Sequence, residues 1–204
     1  MTELYAILDP EHCAGRSALW VAERILSERP AALQLRAKDM ADAAHLELAR
    51  ALKELCREAA VPFWLNDRLD LALLVDADGL HLGQDDIPLS EARRLWGQRP
   101  LGLSTHSLAQ IEAAEQQGAD VLGFGPVFAT GSKLNPDPVV GLEGLRAALA
   151  MAHRPLIAIG GIRLEHAEAL AKTRVQQVAV ISALCGADDP AHATATLKAR
   201  LEAS

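Results

Sequence analysis

Aromatic residues are scarce. They make up 3% of a 204-residue chain that is 50% hydrophobic. A core must therefore be assembled from Ala, Leu, Val and Ile, and a chain of this length can bury a substantial one. Positive charge is also in short supply. At a formal net charge of −7 the chain lacks the basic face of a nucleic-acid binder, so nucleic acid is not an expected partner. An anionic ligand would have to be held by a few local cations against the field of the whole molecule. No apolar run approaches the ~18 residues of a membrane span. The opening "MTELYAILDPEHC" has neither a basic n-region nor an apolar h-region, which gives no sign of export. Cysteine is limited to Cys13, Cys56 and Cys185, with no CxxC pair. That argues against a disulfide framework and leads to the expectation of a reduced, cytoplasmic protein. With no low-complexity segment, linker or shift of composition, one domain over residues 1–204 is expected. A P-loop is missing too. The stretch "GFGPVFATGSKLNPDPVVGLEG" (123–144) carries Thr130, Ser132 and Lys133, two hydroxyls and an ammonium suited to an anion. Its order, Gly131-Ser132-Lys133, runs into a proline-containing loop, whereas a P-loop needs Gly-Lys-Ser/Thr opening a helix.

What is present is an alternation. Short β-rich runs fall at 4–9, 31–37, 61–66, 79–83, 101–105, 121–125, 155–160 and 176–182, with helix-like stretches between them. In 41–59, Leu48, Leu52, Leu55, Cys56 and Ala59 share one helical face. Ser107 to Gln110 reads as a capping box, and Gly118 is well placed to end the helix that follows. Asp189-Pro190 reads as the start of the last helix. The passages "DADGLHLGQ" (76–84) and "QGADVLGFGP" (117–126) echo each other, as a recurring unit would. Strands each followed by a helix predict a parallel sheet buried on both faces. The number of units predicts an α/β fold closed as a single (β/α)8 TIM barrel, with an open doubly wound sheet as the alternative.

In such a barrel the chemistry sits at the C-terminal strand ends, and the unusual polar residues gather there. Gln34, Arg36 and Lys38 follow strand 2 at a spacing of two, so their side chains point the same way for as long as the strand lasts. Asn66-Asp67 closes strand 3, Gln84-Asp85-Asp86 strand 4, and Ser104 with His106 strand 5. Thr130, Ser132 and Lys133 follow strand 6, Gly160-Gly161 strand 7, and Ile181-Ser182 ends strand 8. Each has a bland reading: Asp67 as a helix cap, Asp85 and Asp86 as turn residues, the lysines as solvated charges, the glycine pair as a bare turn. Three cations, two separated acid sites and a glycine pair on one rim are hard to explain by stability alone. Asp67 with an acid of the Asp85-Asp86 pair offers hard oxygens of the kind Mg2+ prefers, and no His/Cys cluster has zinc spacing. Arg36, Lys38 and Lys133 suit the remaining charge of a diphosphate. Gly160-Gly161 with the amides near Ser182 offers a second anion cradle. Two anion sites, one of them with a metal, imply two phosphorylated substrates.

The motifs "LYAILDPEHC", "QLRAK" (34–38), "NDRLDLAL" (66–73), "ADGLHLGQDD" (77–86), "GLSTHS" (102–107), "GADVLGFGPVFATGSK" (118–133), "AIGGI" (158–162) and "VAVISAL" (178–184) occur in order over nearly the whole chain. Together they resemble the thiamine phosphate synthases. The resemblance implies the barrel and the joining of a hydroxymethylpyrimidine diphosphate to a hydroxyethylthiazole phosphate. It implies that Gln34, Leu35, Arg36, Ala37, Lys38, Asn66, Ser104 and Lys133 hold the pyrimidine diphosphate. Arg36, Lys38, Lys133 and Ser104 are then the catalytic set. Asp67 and Asp86 are implied as Mg2+ ligands, and Thr130, Gly131, Ser132, Gly161, Ile181 and Ser182 as the thiazole phosphate site. The chain departs from the family pattern at Ala37, where glutamate is frequent, and at Ser132, where threonine is usual. It departs again at "TRVQQVAV" (173–180), which replaces an Ala-Gly-Ala-Asp-Gly-Val type of passage and raises the question of its turn geometry.

A thiazole tautomerase of the related branch has the same barrel and shares "STHS". It would use His106 as an acid/base group and would need neither the acid pair nor the cations. A phosphate-binding module without turnover would bind its ligand indifferently to Mg2+. A generic phosphosugar isomerase would use an acid such as Asp85 as base. Retention of Asp67, Asp86, Arg36, Lys38 and Lys133 favours the synthase. Homo-oligomer formation is left open by the sequence.

Overall fold

The computed structural model describes residues 1–130 and 137–203. Strands β1 (Glu3–Leu8), β2 (Ala32–Leu35), β3 (Phe63–Asn66), β4 (Gly79–Leu82), β5 (Leu101–Thr105), β6 (Val121–Phe124), β7 (Leu156–Ala158) and β8 (Gln177–Val180) are all parallel. They close into a barrel in sequence order, with β8 pairing back onto β1. Around it lie helices α1 (Ala18–Leu26), α2 (Asp42–Ala59), α3 (Leu69–Leu74), α4 (Leu89–Trp96) and α5 (Leu108–Gln116). They continue with α6 (Gly141–Met151), α7 (Ala167–Ala171), the short α8 (Ser182–Cys185) and α9 (Pro190–Glu202). The expected (β/α)8 barrel is the fold.

Strand periodicity decides what each residue meets. Leu4, Ala6 and Leu8 of β1, Leu33 and Leu35 of β2, and Phe63 and Leu65 of β3 face the helices. There they join the main core with Val21, Ile25, Leu52 and Cys56. The alternate residues point inward. Tyr5, Ala32, Ile157 and Ala179 form a small second cluster inside the barrel, with Ile7 and Trp64 against it. Tyr5 meets Trp64 edge-on, the ring centroids 6.0 Å apart. This plug fills the lower barrel, and Tyr5, Ile157 and Ala179, with Ile7 and Ile159, form the floor of the cavity above it.

Several expected strands are shorter than their apolar runs. The runs at 31–37 and 155–160 become Ala32–Leu35 and Leu156–Ala158. The ladder goes one residue further, since the Arg36 N–H donates to the Leu8 carbonyl (2.9 Å) and the Ile159 N–H to Phe124 (3.0 Å). Beyond that the chain leaves the sheet to build the rim.

The helix ends follow local chemistry with one correction. The Ser107 hydroxyl accepts from the Gln110 N–H (3.3 Å), but the Gln110 side chain accepts from the His106 N–H (2.6 Å). That is one residue earlier than a capping box requires. Gly118, at φ +88°, follows α5 in the left-handed region, and Asp189 caps α9 by accepting from the Ala191 and His192 N–H groups. On α2, Leu52 and Cys56 are buried as expected. Leu48, Leu55 and Ala59 are half-buried, and His45 and Ala49 carry the buried stripe toward the helix start.

The echo between 76–84 and 117–126 has a physical content. Asp76 (φ +51°) and Gly118 (φ +88°) each turn the chain through the left-handed region three residues before a strand. Asp78 then accepts from the N–H of Phe63, the first residue of β3 (2.8 Å), and Asp120 from the N–H of Leu101, the first residue of β5 (3.0 Å). The divergent passage before β8 repeats the device with other residues. Arg174 takes the left-handed position (φ +62°), and the Gln176 side-chain oxygen accepts from the N–H of Leu156, the first residue of β7 (3.0 Å). An amide oxygen accepts as a carboxylate does, so the turn geometry is kept.

Candidate active site

The C-terminal strand ends surround a cavity of about 400 Å³, a size suited to a small ligand. Gln34, Arg36 and Lys38 all line it, as their spacing predicts. Leu35 and Ala37 do not: Leu35 is fully buried between sheet and helices, and Ala37 packs against the same core. Their side chains fall on the wrong face of an extended segment, so they can offer a ligand only backbone.

Two cations at this end, Arg36 and Lys38, are held by acids. Arg36 makes a short contact with Asp9, whose side chain is 1% exposed. Asp9 also accepts from the Glu11 N–H (3.1 Å) and lies 3.4 Å from His12 Nδ1. A buried carboxylate so surrounded fixes the direction of the guanidinium. Lys38 Nζ lies 3.6 Å from Asp67 and is half exposed, leaving it free to exchange that partner for another anion.

Asp67 does not cap α3. It sits in the left-handed region (φ +62°), its N–H donates to the His81 carbonyl (2.8 Å), and Arg68 takes the N-cap position. Arg68 in turn bridges Asp42 (2.7 Å) and Asp70 (2.6 Å) and so anchors the turn from outside. The Asp67 carboxyl is thereby turned to the Asp86 carboxyl, within hydrogen-bond reach. Burial first, and then the hydrogen bond and charge of Asp86, push the Asp67 pKa up to about 7, against the pull of Lys38 and Arg36. Asp86 also accepts from the Gly83 N–H (2.6 Å), so its turn role and its place at the site coexist. Two acids this close cannot both be charged without strain unless a cation or a shared proton lies between them. That arrangement fits a divalent ion with hard oxygen donors. No third His, Cys, Asp or Glu completes a metal-binding group among the described residues, so substrate oxygens and water would fill the other positions.

Between the acids and the barrel plug runs a chain of neutral donors. Burial pushes the Tyr5 pKa well above its ordinary value, so its hydroxyl keeps its proton and donates to Gln34 Oε1 (2.8 Å). Gln34 Nε2 donates to Asn66 Oδ1 (2.9 Å), which leaves the Asn66 amide N–H groups for a ligand in the cavity that Asn66 lines. Ser104 Oγ lies 3.0 Å from His81 Nε2. Burial pushes the His81 pKa down to about 4, so the ring is neutral near pH 7. The ring fits only because its neighbours lack side chains: a Cβ at Gly102 would lie 2.4 Å from His81 Nδ1.

The opposite side of the cavity is lined by Thr130, Gly160, Gly161, Ile181 and Ser182. Gly160 (φ +91°) and Gly161 (φ +66°) are required on two counts. Both are left-handed, and a Cβ at Gly161 would stand 2.3 Å from the Ala129 carbonyl oxygen. Gly131, Ser132 and Lys133 lie outside the described residues. His106 is bonded at both ring nitrogens, Nδ1 to the Gly125 carbonyl (2.6 Å) and Nε2 to Asp137 (3.3 Å).

Asp9, Tyr5, His81 and Asp137 were not singled out from the sequence. Asp9 ends strand 1 as its neighbours end theirs and could have been found by the same rule. His81 sits in an ordinary strand, "GLHLG", and nothing local distinguishes it from a satisfied core histidine.

Polar residues gathered at the C-terminal mouth of a closed (β/α)8 barrel, above a packed apolar plug, define a barrel enzyme. The family pattern described as "Thiamine monophosphate synthase" matches residues 4–184. The thiamine-phosphate synthase of Moorella thermoacetica is 42% identical over 197 residues, covering 96% of this chain and 94% of its own. That of Chloroflexus aurantiacus is 41% identical over 196 residues, covering 96% and 91%. Among solved structures, the thiamine phosphate pyrophosphorylase of Pyrococcus furiosus superimposes with a TM-score of 0.91 at 36% identity, covering 98% of this chain and 96% of that one. The chain belongs to the thiamine monophosphate synthase family and is a transferase.

Proposed function

We propose that the chain joins 4-amino-5-hydroxymethyl-2-methylpyrimidine diphosphate to hydroxyethylthiazole phosphate, giving thiamine phosphate and diphosphate. The bond that breaks is the C–O bond between the pyrimidine methylene and the diphosphate, whose electron pair leaves with the oxygen. The bond that forms joins that methylene to the thiazole nitrogen through its lone pair. No side-chain nucleophile and no proton transfer is needed, so the protein contributes alignment and charge neutralisation. Arg36, fixed by Asp9, and Lys38, able to release Asp67, meet the charge growing on the departing diphosphate. Lys133 is assigned the same task. Asn66 and Ser104, braced by Gln34 and His81, orient the pyrimidine. Thr130, Gly161, Ile181 and Ser182, with Gly131 and Ser132, hold the thiazole phosphate. Asp67 and Asp86 would hold Mg2+, which when bound supplies positive charge to the diphosphate oxygens.

The observation that carries this reading is the contact between the Asp67 and Asp86 carboxyls beside Lys38 and Arg36. A proton-shuffling tautomerase has no use for that group, and His106, with both ring nitrogens engaged, is poorly placed as its acid/base. Incubation of the two phosphorylated heterocycles with the protein tests it. Thiamine phosphate should form with Mg2+ and not in chelator-treated buffer. Product at an equal rate in both buffers refutes the metal assignment, and no product in either refutes the synthase reading.

A further inference from the structure

We infer that Arg163 is a specificity-determining residue that grips the phosphate of the second, thiazole substrate. The inference rests on the synthase reading for the identity of that substrate, and on the following geometry for the residue. Three of the cavity-lining residues described are cations: Arg36, Lys38 and Arg163. Arg36 is committed to Asp9 and Lys38 faces Asp67. Arg163 is exposed, and among the described residues its guanidinium has neither a carboxylate within 4 Å nor a hydrogen bond.

Its backbone, by contrast, is held firmly. The Arg163 N–H donates to His166 Nδ1 (3.1 Å), and the His166 N–H donates back to the Arg163 carbonyl (3.0 Å). The His166 ring stacks on Phe128, with centroids 3.7 Å apart and planes 9° from parallel. The Phe128 N–H in turn donates to the Gly160 carbonyl (3.1 Å). The loop carrying Arg163 is thus locked to the segment that leads into Thr130. A cation on a fixed anchor beside the Gly160-Gly161 turn needs only its own side chain ordered to meet an anion there, and a guanidinium matches phosphate oxygens with two parallel donors.

Position selects the substrate. Arg163 follows β7 and shares its side of the cavity with Thr130 and Gly161, whereas Asp67, Asp86 and the other two cations follow β2, β3 and β4. Asp137, the acid on the Thr130 side, is paired with His106. A chain with net charge −7 disfavours a dianion at its surface, so one local cation has a large effect on which thiazole it accepts. Arg163 thereby separates the phosphorylated thiazole from its free alcohol.

The test compares wild type with Arg163→Ala and Arg163→Lys. Arg163→Ala should raise KM for hydroxyethylthiazole phosphate about tenfold, the scale of one exposed charge-assisted hydrogen-bonded contact. It should leave kcat, KM for the pyrimidine diphosphate, and inhibition by unphosphorylated hydroxyethylthiazole unchanged. Arg163→Lys should fall between, keeping charge without the fork. Calorimetric binding of hydroxyethylthiazole phosphate reads the same contrast without turnover. Binding that depends on Arg163 in a protein that makes no thiamine phosphate would sink the synthase reading and leave this inference standing. The inference is overturned by an unchanged affinity for the phosphate in Arg163→Ala. Equal weakening for phosphate and alcohol, or a loss confined to the pyrimidine diphosphate, overturns it as well.

Discussion

Replacing Asp67 by asparagine should make the metal-free protein more stable while disabling it. The substitution is gentle on the backbone, because asparagine is among the residues that best tolerate the left-handed conformation that Asp67 adopts at φ +62°. It removes a charge that the site holds at a cost. The Asp67 pKa is pushed from an ordinary 3.8 up to about 7 by burial and by Asp86. At about 1.4 kcal/mol per pKa unit, the ceiling on the relief is about 4 kcal/mol. Asparagine still buries a polar group, so the expected gain is about 1–2 kcal/mol, or roughly 2–8 °C in Tm for a chain of this size. The sign follows from proton counting. Between pH 4 and 7 the folded state keeps a proton that the unfolded chain has released. Wild-type stability from this group therefore falls as pH rises through that window and is level above it. The advantage of Asp67→Asn should be near zero at pH 4 and complete at pH 8. Urea or thermal unfolding in chelator-containing buffer at several pH values reads it, and Mg2+-dependent synthesis by the variant should drop about 100-fold or more. Mg2+ affinity of the wild type should rise with pH up to about 7, since Asp67 must lose its proton to bind. A variant less stable than wild type at pH 8, or an advantage independent of pH, would show that the two carboxyls are not in conflict, and undiminished Mg2+-dependent turnover would refute Asp67 as a metal ligand.

Three other substitutions probe the scaffold around the site. Gly161→Ala places a Cβ 2.3 Å from the Ala129 carbonyl oxygen in a left-handed residue. It should cost about 1–3 kcal/mol and raise KM for the thiazole phosphate, and a normal KM would remove Gly161 from that site. Gln176→Ala leaves the Leu156 N–H without its acceptor and should cost about 1–2 kcal/mol with kcat intact. An unchanged Tm would deny that Gln176 does the work of Asp78 and Asp120. Cys185→Ser should keep activity within about twofold, because the buried thiol packs and donates to the Ile7 carbonyl (3.3 Å) rather than reacting. Loss of turnover with the fold intact would give that thiol a functional role.

The strand residues show how much of the site could be read in advance. Gln34 and Arg36 line the cavity because a spacing of two puts them on one side of an extended chain, a local property, while Lys38 reaches it from the turn that follows. The family resemblance places Leu35 and Ala37 in the same site, whereas the same alternation turns their side chains toward the helices. Asp67 was ambiguous between helix cap and site residue. The structure excludes the cap, because Arg68 takes that position, and the bond from the Asp67 N–H to the His81 carbonyl depends on how β3 lies against β4. The divergent passage at 173–180 differs from the family pattern in residue type, while the hydrogen bond that matters is the same.

The sequence by itself settled the number and order of the strand–helix units, the alternation that separates core from interior, and the collection of polar residues at one end. Each depends only on neighbours a few positions apart. Tertiary structure alone decided that Asp67 meets Asp86, that Arg36 meets Asp9, and that His81 fills the room left by Gly102 to brace Ser104. Those contacts join different strands. They exist only once barrel closure and register bring the strand ends to a common height, and no local periodicity encodes that distance.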